Sequence, residues 1–167
     1  IEAILEKYYD LESYADKNEI VANITEKKGI VHEADFVDLR ISIKIFTPTN
    51  VSTSLNIARG SIIVKNVKGN HHVANAVSGT IKYIDSFGAT LDSSLENGYI
   101  GMINTTMQES MNAKSQKGII VIALPKETKA NLNLQSSTNV SAHILNNSNF
   151  NGTTTKTKVV GKLNGGG

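Results

Sequence analysis

Glycines recur at a nearly fixed interval through the middle of the chain, and this spacing strongly restricts the possible folds. They stand at Gly60, Gly69, Gly79, Gly88, Gly98 and Gly118. The last gap is about twice as long as the others and has Gln108 where a further glycine is expected, which predicts an altered corner there. A fixed period of about 20 residues between alternate glycines is typical of a stacked repeat. The glycines that carry this period are Gly60, Gly79, Gly98 and Gly118.

Other residue types follow the same period. An isoleucine stands two positions after each of these glycines, at Ile62, Ile81, Ile100 and Ile120. A polar residue stands six after the first three, at Asn66, Asp85 and Asn104. Asn, Asp and Gly tolerate the left-handed backbone of tight corners, whereas isoleucine favours strands. Each repeat is therefore predicted to run strand, corner, strand, corner.

We predict an all-β fold, a single-stranded β-helix or β-solenoid with coils of about 19 residues. Coils would stack about 4.8 Å apart, the ordinary spacing of paired strands. The isoleucines would then form a buried column, each contributing about 1.5–3 kcal/mol. A β-sandwich or meander is the alternative, since strands at regular short spacing also fit it. A sandwich does not require the same residue type in every second strand, which favours the solenoid.

The chain is predicted to form a single β-solenoid domain, residues 1–167, in three parts. Residues 1–35 form an N-terminal cap region, with a short helix at 1–9 followed by strands. Residues 36–134 form the repeat coils, and the alternating segment 37–46 is a strand. Residues 135–167 form a polar hairpin and a truncated final strand. A cap protects the open edge of a solenoid, which otherwise invites aggregation.

Two further segments resemble each other and contain the chain's only prolines. The sequences "TPTNVSTSLNI" (47–57) and "LPKETKANLNL" (124–134) align without gaps, so that Leu55 matches Leu132. The distance between them along the chain is close to four coils, which predicts equivalent positions in the stack.

The succession of these motifs resembles a known family. The run "GSIIVKNVKG", the strand "LPKETKANLNL" and the terminal "GKLNGGG" occur in this order, and the chain is similar over essentially its whole length to bacterial adhesin domains with a β-helical core. The resemblance implies an exported protein of the cell envelope, periplasm or cell surface. A lipid anchor attached before Ile1 is one expected form of attachment. The resemblance implies no catalytic residues.

The sequence contains few residues in patterns typical of catalysis or metal binding. There is no cysteine, so disulfides and thiolate metal ligands are excluded. His71 and His72 are neighbours, so on a strand they point to opposite faces and cannot bind one ion. His72 shares its column with Leu91 and Met111, which predicts a buried, hydrogen-bonded histidine. We assign no catalytic, cofactor-binding or metal-binding residues, expect no cofactor, and predict that the chain is not an enzyme.

Charge and hydropathy narrow the expected partners. The net charge of +2 and the lack of a basic stripe argue against nucleic acid. No run approaches the roughly 18 apolar residues of a membrane span, so no transmembrane segment is expected. Residues 1–50 carry ten acidic and six basic side chains, and the remainder carry five and eleven.

We therefore predict a non-catalytic, exported structural or adhesive module whose partner is an envelope or extracellular glycan or protein surface. Binding would use the outward face of the coils, through Lys65, Lys82, Tyr99 and Lys114. A self-assembling β-helical scaffold protein is the alternative, and a carbohydrate-active β-helix enzyme has less support. The oligomeric state and the ligand are left open.

Overall fold

The computed structural model describes residues 8–15, 20–27, 44–143 and 149–167. The chain divides into two compact units, residues 1–45 and residues 46–167. In the first unit, β1 (Tyr9–Ala15) and β2 (Ile20–Glu26) pair in an antiparallel sheet, with Tyr9 opposite Glu26.

Part of the predicted cap lies outside the described residues. The proposed helix at 1–9 falls mostly on residues 1–7, which are outside them, and Tyr9 is already the first residue of β1. The proposed strand at 37–46 lies mostly outside as well, and residues 44–46 belong to no strand. The role of residues 1–35 as a cap, and the single-domain organisation, stay predictions.

The second unit is a β-solenoid, as the repeat predicted. Its long parallel strands are β3 (Thr53–Lys65), β4 (His71–Ile84), β5 (Phe87–Ile103) and β6 (Thr106–Ala123). Two shorter strands, β7 (Ala130–Ser136) and β8 (Asn139–Ala142), pair in parallel with the two halves of β6. The pairing advances by one repeat at each step, since Ile62 lies opposite Ile81 and Ile81 opposite Ile100.

The predicted isoleucine column is the centre of the interior. Ile81, Ile100 and Ile120 have no solvent exposure, and Ile62 at the first coil retains 8%. Val140 of β8 continues the column above Ile120. A second column two positions further along each strand is also buried, because alternate side chains share a face. It consists of Val64, Tyr83, Met102 and Ile122.

The glycine corners are required for two separate reasons. Gly79 and Gly98 have φ angles of 132° and 136°, which side-chain-bearing residues rarely adopt. In addition, a Cβ atom at Gly79 would lie 1.9 Å from the carbonyl oxygen of Gly60 in the preceding coil. A Cβ atom at Gly98 would lie 2.0 Å from the carbonyl oxygen of Gly79. Successive coils therefore touch backbone to backbone at this corner, which explains the glycine period.

The predicted Asn and Asp corners are also confirmed. Asn66, Asp85 and Asn104 have φ angles of 56°, 51° and 47°, in the left-handed region. The Asn104 side chain donates from Nδ2 to Oδ1 of Asp85 at 2.6 Å, so the corners of two coils are joined. Ser86 and Thr105, which follow two of these corners, each donate a hydroxyl hydrogen to the carbonyl two positions earlier.

The altered corner predicted at Gln108 is confirmed as a bulge that takes the extra residue of the longer coil. Met107, not Gln108, lies opposite Gly88, and the register then shifts before Thr90 pairs with Ser110. The extra residue is thus a bulge directly after Met107, whose side chain is fully buried. A bulge absorbs an insertion locally, so the glycine and isoleucine columns resume undisturbed.

The gap-free alignment of the two proline segments is wrong by two positions. Leu55 lies in the column that passes through Ala74 and Ala113 and ends at Leu134. It does not share a column with Leu132. The coils between them contain insertions that an alignment without gaps ignores. Two positions are one strand period, so the apolar residues still fell on the correct face.

The parallel winding ends in an antiparallel hairpin, in agreement with the polar hairpin predicted within residues 135–167. β10 (Lys158–Leu163) pairs antiparallel with β7 on one side and with β9 (Phe150–Thr154) on the other. Val159 and Leu163 are fully buried, so the hairpin adds apolar contacts to the last coil.

Two alanine substitutions separate the φ requirement from the backbone contact. Gly60 has the same φ of 132° as Gly79, but among the described residues a Cβ there meets only the Ile57 side chain, at 3.1 Å. We expect Gly60→Ala to lower the free energy of unfolding by about 1–2 kcal/mol. Gly79→Ala should cost at least about 2 kcal/mol more or prevent folding, because a backbone atom must move. Urea unfolding followed by circular dichroism measures both, and equal losses would contradict the proposed contact.

Candidate functional site

The outward side of the strand segments that follow the glycine corner forms one continuous sheet surface, which we call the Tyr99 face. It holds three of the four predicted binding residues, Lys65, Lys82 and Tyr99. They share it because residues one, three and five positions after each glycine point away from the core. Its members from β3 to β6 are Ser61, Ile63, Lys65, Thr80, Lys82, Ile84, Tyr99, Gly101, Ile103, Ile119, Val121 and Ala123.

Tyr99 is held against the sheet by a glycine. A Cβ atom at Gly101 would lie 2.6 Å from Cε1 of Tyr99 and 2.9 Å from its hydroxyl oxygen, so the ring lies across the space above Gly101. The Nζ atom of Lys82 lies 5.6 Å from the centre of the same ring, within the range of a cation–π contact. The aromatic ring is therefore positioned before any ligand arrives.

The rest of the Tyr99 face is apolar for a solvent-facing sheet. Ile63 is 54% exposed, and Ile103 and Ile119 are each 40% exposed. Ile119 lies directly opposite Tyr99 on the next coil. Ile103 lies four residues further along the same strand, and Ile63 lies two coils away. Contiguous exposed apolar groups with a polar border are typical of interaction surfaces.

The fourth predicted residue, Lys114, lies elsewhere. It belongs to the strand half that precedes the glycine corner, where it continues the outward column of Asn56, Asn75 and Ser94. This column lines a shallow open depression of about 620 Å³, which we call the trough. The structure thus divides the four residues between two surfaces.

A ladder of side-chain hydrogen bonds runs along the trough. Asn75 donates from Nδ2 to Oδ1 of Asn56 at 2.9 Å, and the Ser94 hydroxyl donates to Oδ1 of Asn75 at 2.7 Å. A second depression of about 290 Å³ also includes Lys114 and extends the surface to Lys158. Sequence reasoning missed the trough, although two asparagines one coil apart at an outward position, Asn56 and Asn75, were its visible signal.

His72 is a structural residue, as its column predicted. Its side chain is fully buried, and Nε2 donates to the carbonyl oxygen of Phe87 at 3.1 Å. Nδ1 is then the acceptor for the Thr53 hydroxyl, which lies 3.0 Å away on the preceding coil. Burial lowers the pKa of His72 below its usual value, since the surroundings disfavour the charged ring.

The neighbouring ring of Tyr83 is buried as well, with its centre 5.9 Å from that of His72. Burial raises the pKa of Tyr83 to about 12. Both rings are therefore uncharged near neutral pH, and both support the packing of the first coils.

Neither surface contains a cluster typical of metal chemistry. Across residues 8–15, 20–27, 44–143 and 149–167, no three His, Cys, Asp or Glu side chains lie close enough together to hold a metal ion. In that same part of the chain, no helix has the length and apolar character needed to cross a membrane.

Searches of protein-family models, of curated proteins and of solved structures found no match to this chain. The likeness to adhesin domains therefore stays a prediction from the motifs.

His72 predicts a specific loss of stability in mild acid. In the unfolded chain the His72 ring binds a proton near pH 6.5, and in the folded chain it does so only at lower pH. The free energy of unfolding therefore falls as the pH drops below about 6.5. The slope cannot exceed about 1.4 kcal/mol per pH unit for one group. We expect urea unfolding at pH 7.5 and 5.5 to show this loss in the wild type and a smaller loss in His72→Leu, which matches Leu91 in the column.

The exposed neighbour His71 serves as the control for this measurement. Its ring nitrogen contacts the Thr90 hydroxyl at the surface, at 2.8 Å. His71→Gln should keep most of the acid-dependent loss, because burial is the largest cause of the lowered pKa of His72 and the charge of His71 is a smaller one. If His71→Gln removed the loss and His72→Leu kept it, the assignment to the buried ring would be wrong.

Proposed function

We propose that this chain is an exported, non-catalytic adhesive module that places the Tyr99 face against a glycan or protein surface of the envelope or the cell exterior. The observation that carries the proposal is the Tyr99 ring, held over Gly101 beside Lys82 on a largely apolar face. The motif order that resembles β-helical adhesin domains supports the same function and location.

The geometry favours binding by a preformed surface. Parallel coils join every strand of the Tyr99 face to its neighbours, so little ordering is needed when a partner binds. Aromatic side chains contribute strongly at interfaces because they bury a large area with few rotatable bonds. Tyr99 combines this property with a fixed position, and Lys82 adds a positive charge at its edge.

The two alternatives have less support from the structure. End-to-end assembly would pair the two edge strands of the described sheet, β3 and β9, but β9 is five residues long and four of its residues are exposed, all of them polar or glycine. Short polar edge strands are a common means of avoiding edge-to-edge association. Glycoside hydrolysis uses two facing carboxylates, and among the described residues that line the trough Glu96 is the one carboxylate.

Replacement of Tyr99 tests the adhesive function. We expect the wild-type chain to bind a member of a panel of immobilised glycans and extracellular-matrix proteins. Tyr99→Ala should weaken this binding by at least about tenfold, the usual effect of removing an aromatic hot spot. Surface plasmon resonance measures the affinity, and thermal unfolding checks that the variant is folded.

Lys156→Ala is the matched control, because Lys156 is exposed in the turn between β9 and β10, at the end of the solenoid. It should bind like the wild type. A folded wild-type chain that binds nothing in the panel, or a Tyr99→Ala variant with unchanged affinity, would contradict the proposal.

A further inference from the structure

The trough has the shape of a site for a linear ligand. Asn56, Asn75, Ser94 and Lys114 come from four successive coils and therefore span about 14 Å along the stack at the usual strand spacing. The depression is open along its length, and Lys158 continues it past the last of these residues. Sites for small molecules are enclosed and bury most of the ligand. An open trough across the coils is suited to an extended chain.

The hydrogen-bond ladder leaves mainly donors facing the ligand. Oδ1 of Asn56 already accepts a hydrogen bond from Asn75, so both amide hydrogens of Asn56 stay available. Asn75 keeps one free amide hydrogen, because its Nδ2 donates the other to Asn56, and its Oδ1 accepts from Ser94. Lys114 adds three donors, and the Ser94 oxygen is available as an acceptor. This row of hydrogen-bond donors favours a ligand rich in acceptor oxygens.

The lining of the trough carries both a positive charge, Lys114, and a negative charge, Glu96, whereas the unit as a whole is basic. Lys114 is exposed and has no ion-pair partner among the residues that the structure describes. Arg59 and Lys117 belong to a column three positions beyond that of Asn56 and do not line the trough. Residues 46–167 carry eleven basic and five acidic side chains, a net charge of +6, although the whole chain carries only +2. A unit with this net charge attracts anionic polymers.

The trough also lacks the rings that other linear polymers need. Within the described lining of the trough there is no aromatic side chain. Proteins that bind single-stranded nucleic acid stack the bases on aromatic side chains. Binding in the trough would therefore depend mainly on hydrogen bonds and charge, and these suit the carboxylates or sulfates of an acidic sugar chain.

We propose that the trough binds an extended acidic polysaccharide, with its sugars lying across successive coils. Lys114 pairs with a carboxylate or sulfate, and Asn56 and Asn75 donate hydrogen bonds to neighbouring acceptor oxygens. This site is separate from the Tyr99 face and does not depend on the adhesive role proposed for that face.

Titration calorimetry on the full chain tests this site, with alginate and heparin oligosaccharides as acidic probes and dextran as the neutral probe. We expect both acidic probes to bind and dextran not to bind. Lys114→Gln should lower the affinity for the acidic probes by at least about threefold. It should also reduce the slope of log affinity against log salt concentration by about one. Lys114→Arg should retain binding, because it keeps the charge.

Lys68→Gln is the matched control, since it removes the same charge from an exposed position outside both the trough and the Tyr99 face. It should leave the acidic probes within about twofold of the wild type. The proposal is overturned if neither acidic probe binds, if dextran binds equally well, or if Lys68→Gln and Lys114→Gln have the same effect. Tighter binding of a single-stranded DNA oligonucleotide of equal charge would also overturn it. A Tyr99→Ala result has no bearing on this outcome, so the two proposals fail separately.

Discussion

Backbone contact between successive coils at the glycine corner is the constraint on which the rest of the structure depends. Because the Gly79 Cα lies against the Gly60 carbonyl and the Gly98 Cα against the Gly79 carbonyl, the coils can stack only in one register. That register places Ile81 directly above Ile62 and directly below Ile100. The buried columns, the corner residues and both outer surfaces follow from it, since every position in one coil lies over its counterpart.

The period of the sequence was sufficient to predict the features that repeat. The isoleucine column and the left-handed corner at Asn104 could be found because each has a physical requirement that every coil must meet. Features of a single coil could not be found in this way. Met107 took the position expected of Gln108 because a bulge can lie at any of several neighbouring residues. Leu55 was matched to the wrong leucine because a two-position error keeps the same face buried.

The candidate surfaces were harder to predict than the core for a related reason. Alternation along a strand shows which side chains point outward but not which side of the corner they occupy. Lys82 and Lys114 both point outward by this criterion. Lys82, however, lies after its glycine corner and Lys114 lies before the corner at Gly118, so the two lysines are on different surfaces. The position of the Tyr99 ring over Gly101 depends on a rotamer, and the trough depends on how the corner bends. Residue spacing determines neither property.

Disulfide formation between neighbouring coils measures the stacking most directly, since the chain has no native cysteine. Paired strands hold Asn75 and Ser94 about 4.8 Å apart, whereas Asn75 and Lys114 are two coils, or about 9.6 Å, apart. A disulfide needs Cα atoms closer than about 7 Å. Mild oxidation of the dilute, folded chain should therefore close the pair N75C with S94C within one molecule and leave the pair N75C with K114C open. Closure of the second pair but not the first would contradict the coil register.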